Sequence, residues 1–143
     1  MSMFSDIVER LKGGETPFAI VDRVSDLAAV DDRPNATPAG FVFLAEDASG
    51  PNTRATGPIL QRLERDIAIV IITDNATSRT MGDASDDMEG VVDWVRSRLL
   101  GFEPEGADEP MEHVSGQLVK ARGGAVWWEE RFGVAAYLEE ASQ

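Results

Sequence analysis

The sequence predicts an α+β fold: a mixed, mainly antiparallel sheet of four to five strands with two main helices packed on it, ordered α-β-β-β-α-β-β. Three stretches carry this expectation. Ala125–Leu138 alternates with the strand period of two, placing Val126, Trp128, Phe132, Val134, Ala136 and Leu138 on one face. Trp127, Glu129, Arg131, Ala135 and Tyr137 fall on the other. Ile59–Thr73 reads as a long strand, half exposed at its start and apolar on both sides from Ile67 to Ile72. Met88, Val91, Val92, Val95, Leu99 and Phe102 repeat with the period of a helix.

The elements follow in order. Met3, Phe4, Ile7, Val8 and Leu11 form a helical stripe behind Ser2, a capping residue, and Gly13-Gly14 ends it. Phe18–Val21 reads as a strand, and Val24, Leu27 and Ala28 as a short helical segment before the breakers Asp31–Asn35. Phe41–Ala45 is a strand apolar on both faces. Glu46–Pro58 holds turn formers with little to bury, so it is expected to be a protruding, mobile connection between two hairpin strands. Asp83, Asp86 and Asp87 are expected to cap the helix that starts near Met88 and to place negative charge at its positive end. Met111–Ala121 reads as a strand, and Gly123-Gly124 supplies the tight turn into the last one.

Two helices cannot blanket both faces of such a sheet, so one face is expected to need outside cover or to remain wet. The adjacent tryptophans sharpen the point. They must point in opposite directions, and each ring buries roughly 150–250 Å². One of them therefore needs a helix, a loop or another subunit over it.

Composition narrows the function classes. With 143 residues, no internal repeat and no linker, residues 1–143 are expected to form one domain. There is no Cys, which removes disulfides, thiolate nucleophiles and Cys-based zinc sites. No apolar run reaches a membrane span, and no signal peptide is visible at the N-terminus. The net charge of −13 argues against tight binding of nucleic acid, which needs clustered Lys and Arg.

Chemistry is thinly represented. His113 is the only histidine, and neither a Gly-x-Ser-x-Gly elbow nor a glycine-rich phosphate loop is present. Asp83, Asp86, Asp87 and Glu89 are the best candidates for a hard-cation site, but Met88 stands where an EF-hand loop needs glycine, and helix capping explains the same residues. Glu129 and Glu130 are neighbours on a strand and face opposite ways, so they cannot act as paired acids. Glu130, on an otherwise apolar face, marks either a bulge or an interfacial ion pair. No enzyme activity, metal or cofactor is expected.

The chain resembles the tail terminator proteins of long-tailed bacteriophages and related gene transfer agents. The matching pieces are Ala36–Phe43, Gly50-Pro51-Asn52, Gln61-Arg62 continuing into Ile67–Ile72, and Leu99–Pro104. They continue with Gly106–Met111 and Gly124–Trp128, leading into Phe132 and Tyr137-Leu138. The resemblance spans nearly the full length, and its specificity lies in the order of the pieces.

That resemblance implies a tail-terminator-like domain that assembles as a homohexameric ring on the head-proximal end of the tail tube. There it stops tube polymerisation and presents a surface to the head connector or completion protein. DNA passes through the lumen without specific binding, and no membrane is involved. Its location would be the virion, after assembly in the host cytoplasm. Six copies sum to roughly −78 charges, which would repel DNA phosphates from a lumen. Candidate contacts with neighbours or the tube are Gly50, Pro51, Asn52, Thr53, Arg54, Trp127, Glu129, Arg131 and Tyr137. The alternative is another head–tail joining or completion protein, or a small protein-binding module.

Overall fold

Ser2 caps the first helix as its side chain predicts: its hydroxyl accepts the Ser5 amide at 3.0 Å, and Met3–Lys12 form α1. The computed structural model describes residues 2–74 and 81–141, with side chains from Asp87 onward in the second stretch. Beyond α1 come β1 (Ile20–Arg23), a 3-10 helix (Leu27–Val30), β2 (Ala39–Asn52) and β3 (Leu60–Asp74). Then follow α2 (Met81–Leu99), β4 (Glu112–Arg122) and β5 (Ala125–Glu139). The five strands make one open mixed sheet in the order β1-β2-β3-β5-β4, with β1 parallel to β2 and every other pair antiparallel.

Both helices lie on one face of this sheet. Phe4, Ile7 and Leu11 of α1 and Val92, Val95 and Leu99 of α2 join Ile67, Ile69 and Ile71 of β3 in the larger core. The helix ends are tied reciprocally. Arg10 Nε donates to the Arg98 carbonyl at 3.0 Å, and Arg98 Nε donates to the Arg10 carbonyl at 2.9 Å. Each guanidinium thus sits at the negative end of the other helix's dipole.

The second face overturns an expectation. It needs no outside cover, because the 3-10 helix lays Val30 against Phe43, Ala68, Val70, Ile72 and Trp127 in a second core. Every residue from Ile67 to Ile72 has 0% exposure, so this doubly apolar strand offers no surface to a neighbour. The sequence pattern marks it as buried on both sides. The cover is the short helical segment expected around Leu27, whose pattern does not say which face of the sheet it lies on.

Three boundaries also move. β1 begins two residues later than Phe18. α2 begins at Met81, so 83–87 lie inside its first turns rather than ahead of it. The side chains of Asp83 and Asp86 lie outside the described residues, and Asp87 and Glu89 are exposed.

The third change is the largest. Glu46–Asn52 is not a mobile connection but the second half of β2, paired with β3 through Glu46↔Asp66, Asp47↔Arg65, Ala48↔Glu64, Ser49↔Leu63 and Asn52↔Gln61. β5 supplies the third strand through Leu60↔Glu139 to Asp66↔Gly133. Together these segments form an arm reaching about 20 Å beyond the core, at roughly 3.3 Å per residue. Its residues are polar because both of its faces meet water.

Candidate assembly surfaces

Glu130 is the anomaly that organises the helix-covered face. It is a carboxylate with 0% exposure on β5, between Trp128 and Phe132. Arg96 of α2 grips it with two hydrogen bonds, Nε to Oε2 at 2.9 Å and Nη2 to Oε1 at 2.7 Å. Trp128 Nε1 donates to Oε1 at 2.8 Å, and His113 Nε2 lies 2.8 Å from Oε2. Burial alone would raise this carboxyl's pKa, but hydrogen bonds from Arg96, Trp128 and His113 outweigh it and hold the pKa below the ordinary value. The group is an intrachain ion pair, so the choice between bulge and interface resolves in favour of neither. The bulges of the β4–β5 pair lie on β4, at Val114 and Val119.

The strand opposite is shaped to admit the cluster. Gly116 pairs with Glu130, and a Cβ built there would stand 2.3 Å from Glu130 Oε1 and 3.0 Å from Arg96 Nη2. Gly116→Ala is therefore expected to cost ~1–3 kcal/mol, read as a lowered thermal midpoint with unchanged far-UV circular dichroism.

The arm is held by its own side chains. Asn52 Oδ1 accepts the amides of Arg54 at 3.1 Å and Leu60 at 3.0 Å, closing the tip. Arg54 adds a bond to the Pro58 carbonyl at 3.1 Å and an ion pair with Glu139. Lower down, Arg62 pairs with Glu109, and Tyr137 Oη donates to the same carboxylate at 3.1 Å. Hydrogen bonding from Arg62 holds the Glu109 pKa below its usual value. Arg65 meets Asp47 across the strands at 2.9 Å. Asn52→Ala should cost about 1 kcal/mol and appear as faster amide exchange at Arg54 and Leu60, with the core amides unchanged.

The sequence-predicted contact residues scatter. Gly50, Pro51, Asn52, Thr53 and Arg54 lie together at the arm's end, and Tyr137 is exposed on the arm. Trp127 goes elsewhere: it is 1% exposed, and its Nε1 donates to the Val30 carbonyl at 2.8 Å. It belongs to the chain's own core, because the 3-10 turn is the loop that covers it. Glu129 is likewise buried and accepts Arg131 Nε at 2.7 Å over the same face. Trp128 is the half-buried member of the pair, among the residues around Glu130.

Exposed apolar residues add positions that the sequence reading did not single out. Val114 and Leu118 stand out from β4, at 52% and 59% exposure, and Ile59 and Leu138 from the arm. A strand pattern shows which residues share a face but not which strand ends up at the sheet's edge, so Ile59, Val114 and Leu118 carried no signal, and Leu138, placed on an apolar face, is 47% exposed. The sheet presents two unlike edges. The β4 edge is one. On the other side β1 covers β2 only from Ala39 to Val42, leaving the arm half of β2 open.

A groove of 130 Å³ beside β4 gathers Arg62, Glu64, Asp66, Glu109, Glu112 and His113. His113 is engaged with Glu130 and has no nucleophile beside it in this lining. Among the described residues no group of acids and histidine has the arrangement to hold a metal, and no helix is long and apolar enough to cross a membrane.

This is an α+β protein whose faces are closed by its own chain and whose sheet edges stand open. Its fold is similar to that of a chain in the virion of a native gene transfer agent particle, with a TM-score of 0.60 and 14% identity over 94% of this chain and 93% of that one. Comparison with curated proteins gives no match. The family model for phage tail terminator proteins matches residues 2–142, and the chain belongs to that family. It is a structural protein of phage-type tails.

Proposed function

We propose that this chain, as a single domain, forms a homohexameric ring on the head-proximal end of the tail tube, ends tube polymerisation there and offers the head connector or completion protein its joining surface. The observation that carries the reading is a family match along the whole chain together with two unlike sheet edges. A ring closed by rotation repeats one head-to-tail contact, so each copy needs two different patches. The excess of acids supports passage of DNA without adhesion, since exposed carboxylates repel phosphate. The role is structural rather than enzymatic, played in the virion after assembly in the host cytoplasm.

Electron microscopy of the protein mixed with tail tubes tests the reading. The expected picture is blunt tubes of arrested length with one added ring at a single end. Tubes that keep growing, with both ends bare, would overturn it. A second reading, a small module that accepts an extended peptide, draws on the open β4 edge. Labelling the protein within particles separates the two.

A further inference from the structure

We propose that the β4 edge is the seat for the arm of a second copy of this chain; the inference rests on the ring reading above and names its two contact patches. Native sheets blunt exposed edges with charge, proline or short strands. β2's arm edge carries Glu46, Asp47 and Pro51, a guard against a second acidic strand rather than against one without acids. β4 carries no guard. It is 11 residues long, has β5 on one side only, and carries no charged residue and no proline from His113 to Val119. Val114 leans toward Gly133 on one face, and Leu118 lies opposite Trp128 on the other, so apolar surface flanks the open row of peptide groups on both sides.

Charge selects the occupant. His113 to Trp128 contains no Asp or Glu in a chain with 26 of them, and its charged residues are Lys120 and Arg122. Both meet Asp31, Lys120 at 2.6 Å and Arg122 at 3.7 Å, and the Arg122 side chain stays well exposed. The arm is the complement on balance: Glu46, Asp47, Glu64, Asp66 and Glu139 outnumber Arg54, Arg62 and Arg65, which pair with Glu139, Glu64 and Asp47, and Ile59 and Leu138 are exposed near its end. The free stretch Glu46–Asn52 is as long as the uncharged stretch of β4. In a sheet continued by rotation it runs antiparallel to β4, because β2 and β4 have opposite senses within one copy. The offset along the strands is the stagger that inclined strands give when a sheet closes.

The test uses two full-length variants, a seat variant (Val114→Asp with Leu118→Asp) and an arm variant (Ala48→Asp with Ser49→Asp), all at exposed positions. Wild-type protein, alone and with tail tubes, is first scored for rings. Each variant alone should need about a tenfold or greater concentration to assemble, with an unchanged thermal midpoint. An equimolar mixture of the two should give dimers in sedimentation, because one intact seat meets one intact arm, and no rings. Rings from wild type and from both variants would overturn the seat while leaving the ring reading standing. Variants that lose rings but form no mixed dimer would overturn the arm as occupant. Wild type that forms no ring in either condition would overturn the ring reading, and the seat with it. Because the chain lacks Cys, Leu118→Cys with Ser49→Cys gives an independent readout: oxidation should cross-link successive copies, and monomers only would count against the seat.

Discussion

Replacing Glu130 with Ala is expected to remove ~3–5 kcal/mol of folding stability, because it empties a fully buried position and strips Arg96, Trp128 and His113 of their shared acceptor. For a domain of this size that is roughly 10–17 °C in the thermal midpoint, measured by calorimetry. Glu130→Gln keeps the volume but loses the charge, so it should fall between Ala and wild type. The pH dependence has a definite sign. A carboxyl whose folded pKa lies below its unfolded value contributes stability that is complete above the unfolded value, near 4.5, and is lost as the pH falls below it. Wild type should therefore lose stability on acidification below about pH 4.5 more steeply than Glu130→Gln. Parallel curves for the two proteins would show that this carboxylate is not the source.

Trp127→Ala should have the next largest effect, about 3–5 kcal/mol. The change opens a cavity under the 3-10 helix and strips the Val30 carbonyl of its 2.8 Å hydrogen bond. The turn is also held from outside, by Lys120 Nζ to the Asp31 carbonyl at 2.7 Å and by Arg122 to the same oxygen at 3.0 Å. Hydrogen bonding and charge from Lys120 hold the Asp31 pKa low, but these contacts are exposed and worth little by comparison. The variant should therefore be cleaved by protease within 24–33 well before its core strands. Trp128→Ala should cost less, since that ring is only half buried and Arg96 still satisfies Glu130. Equal losses for the two tryptophans would contradict the assignment of one to the core and one to its margin.

How much of this was legible follows from which forces are local. The stripes of α1 and α2 and the two-sided apolar run Ile67–Ile72 declare themselves, because burial repeats with the period of the backbone. The opposite aims of Trp127 and Trp128 follow from strand geometry alone. What covers Trp127 does not, since its partner Val30 lies 97 residues away. The arm was hidden for a similar reason. Glu46–Asn52 reads as turn formers, and only register with β3, with Arg65 opposite Asp47 and Gln61 Nε2 reaching the Gly50 carbonyl at 3.0 Å, makes it a strand. Glu130 showed as an oddity on an apolar face, but nothing in the sequence pairs it with Arg96 of α2. The candidate contacts at 50–54 stay together at one end, whereas Trp127 and Glu129 turn inward because a strand's outer face is outer only until something folds over it.

Gly116 passes Glu130 and Arg96 with no room for a Cβ between them, so the contour of the sheet's rim is decided by the side chains beside it. A rim propped this way arrives at any encounter already in its final shape and gives up little freedom on contact. It also means that damage travels outward: Arg96→Lys, a slight change made on α2 and not on β4, would be felt at that rim.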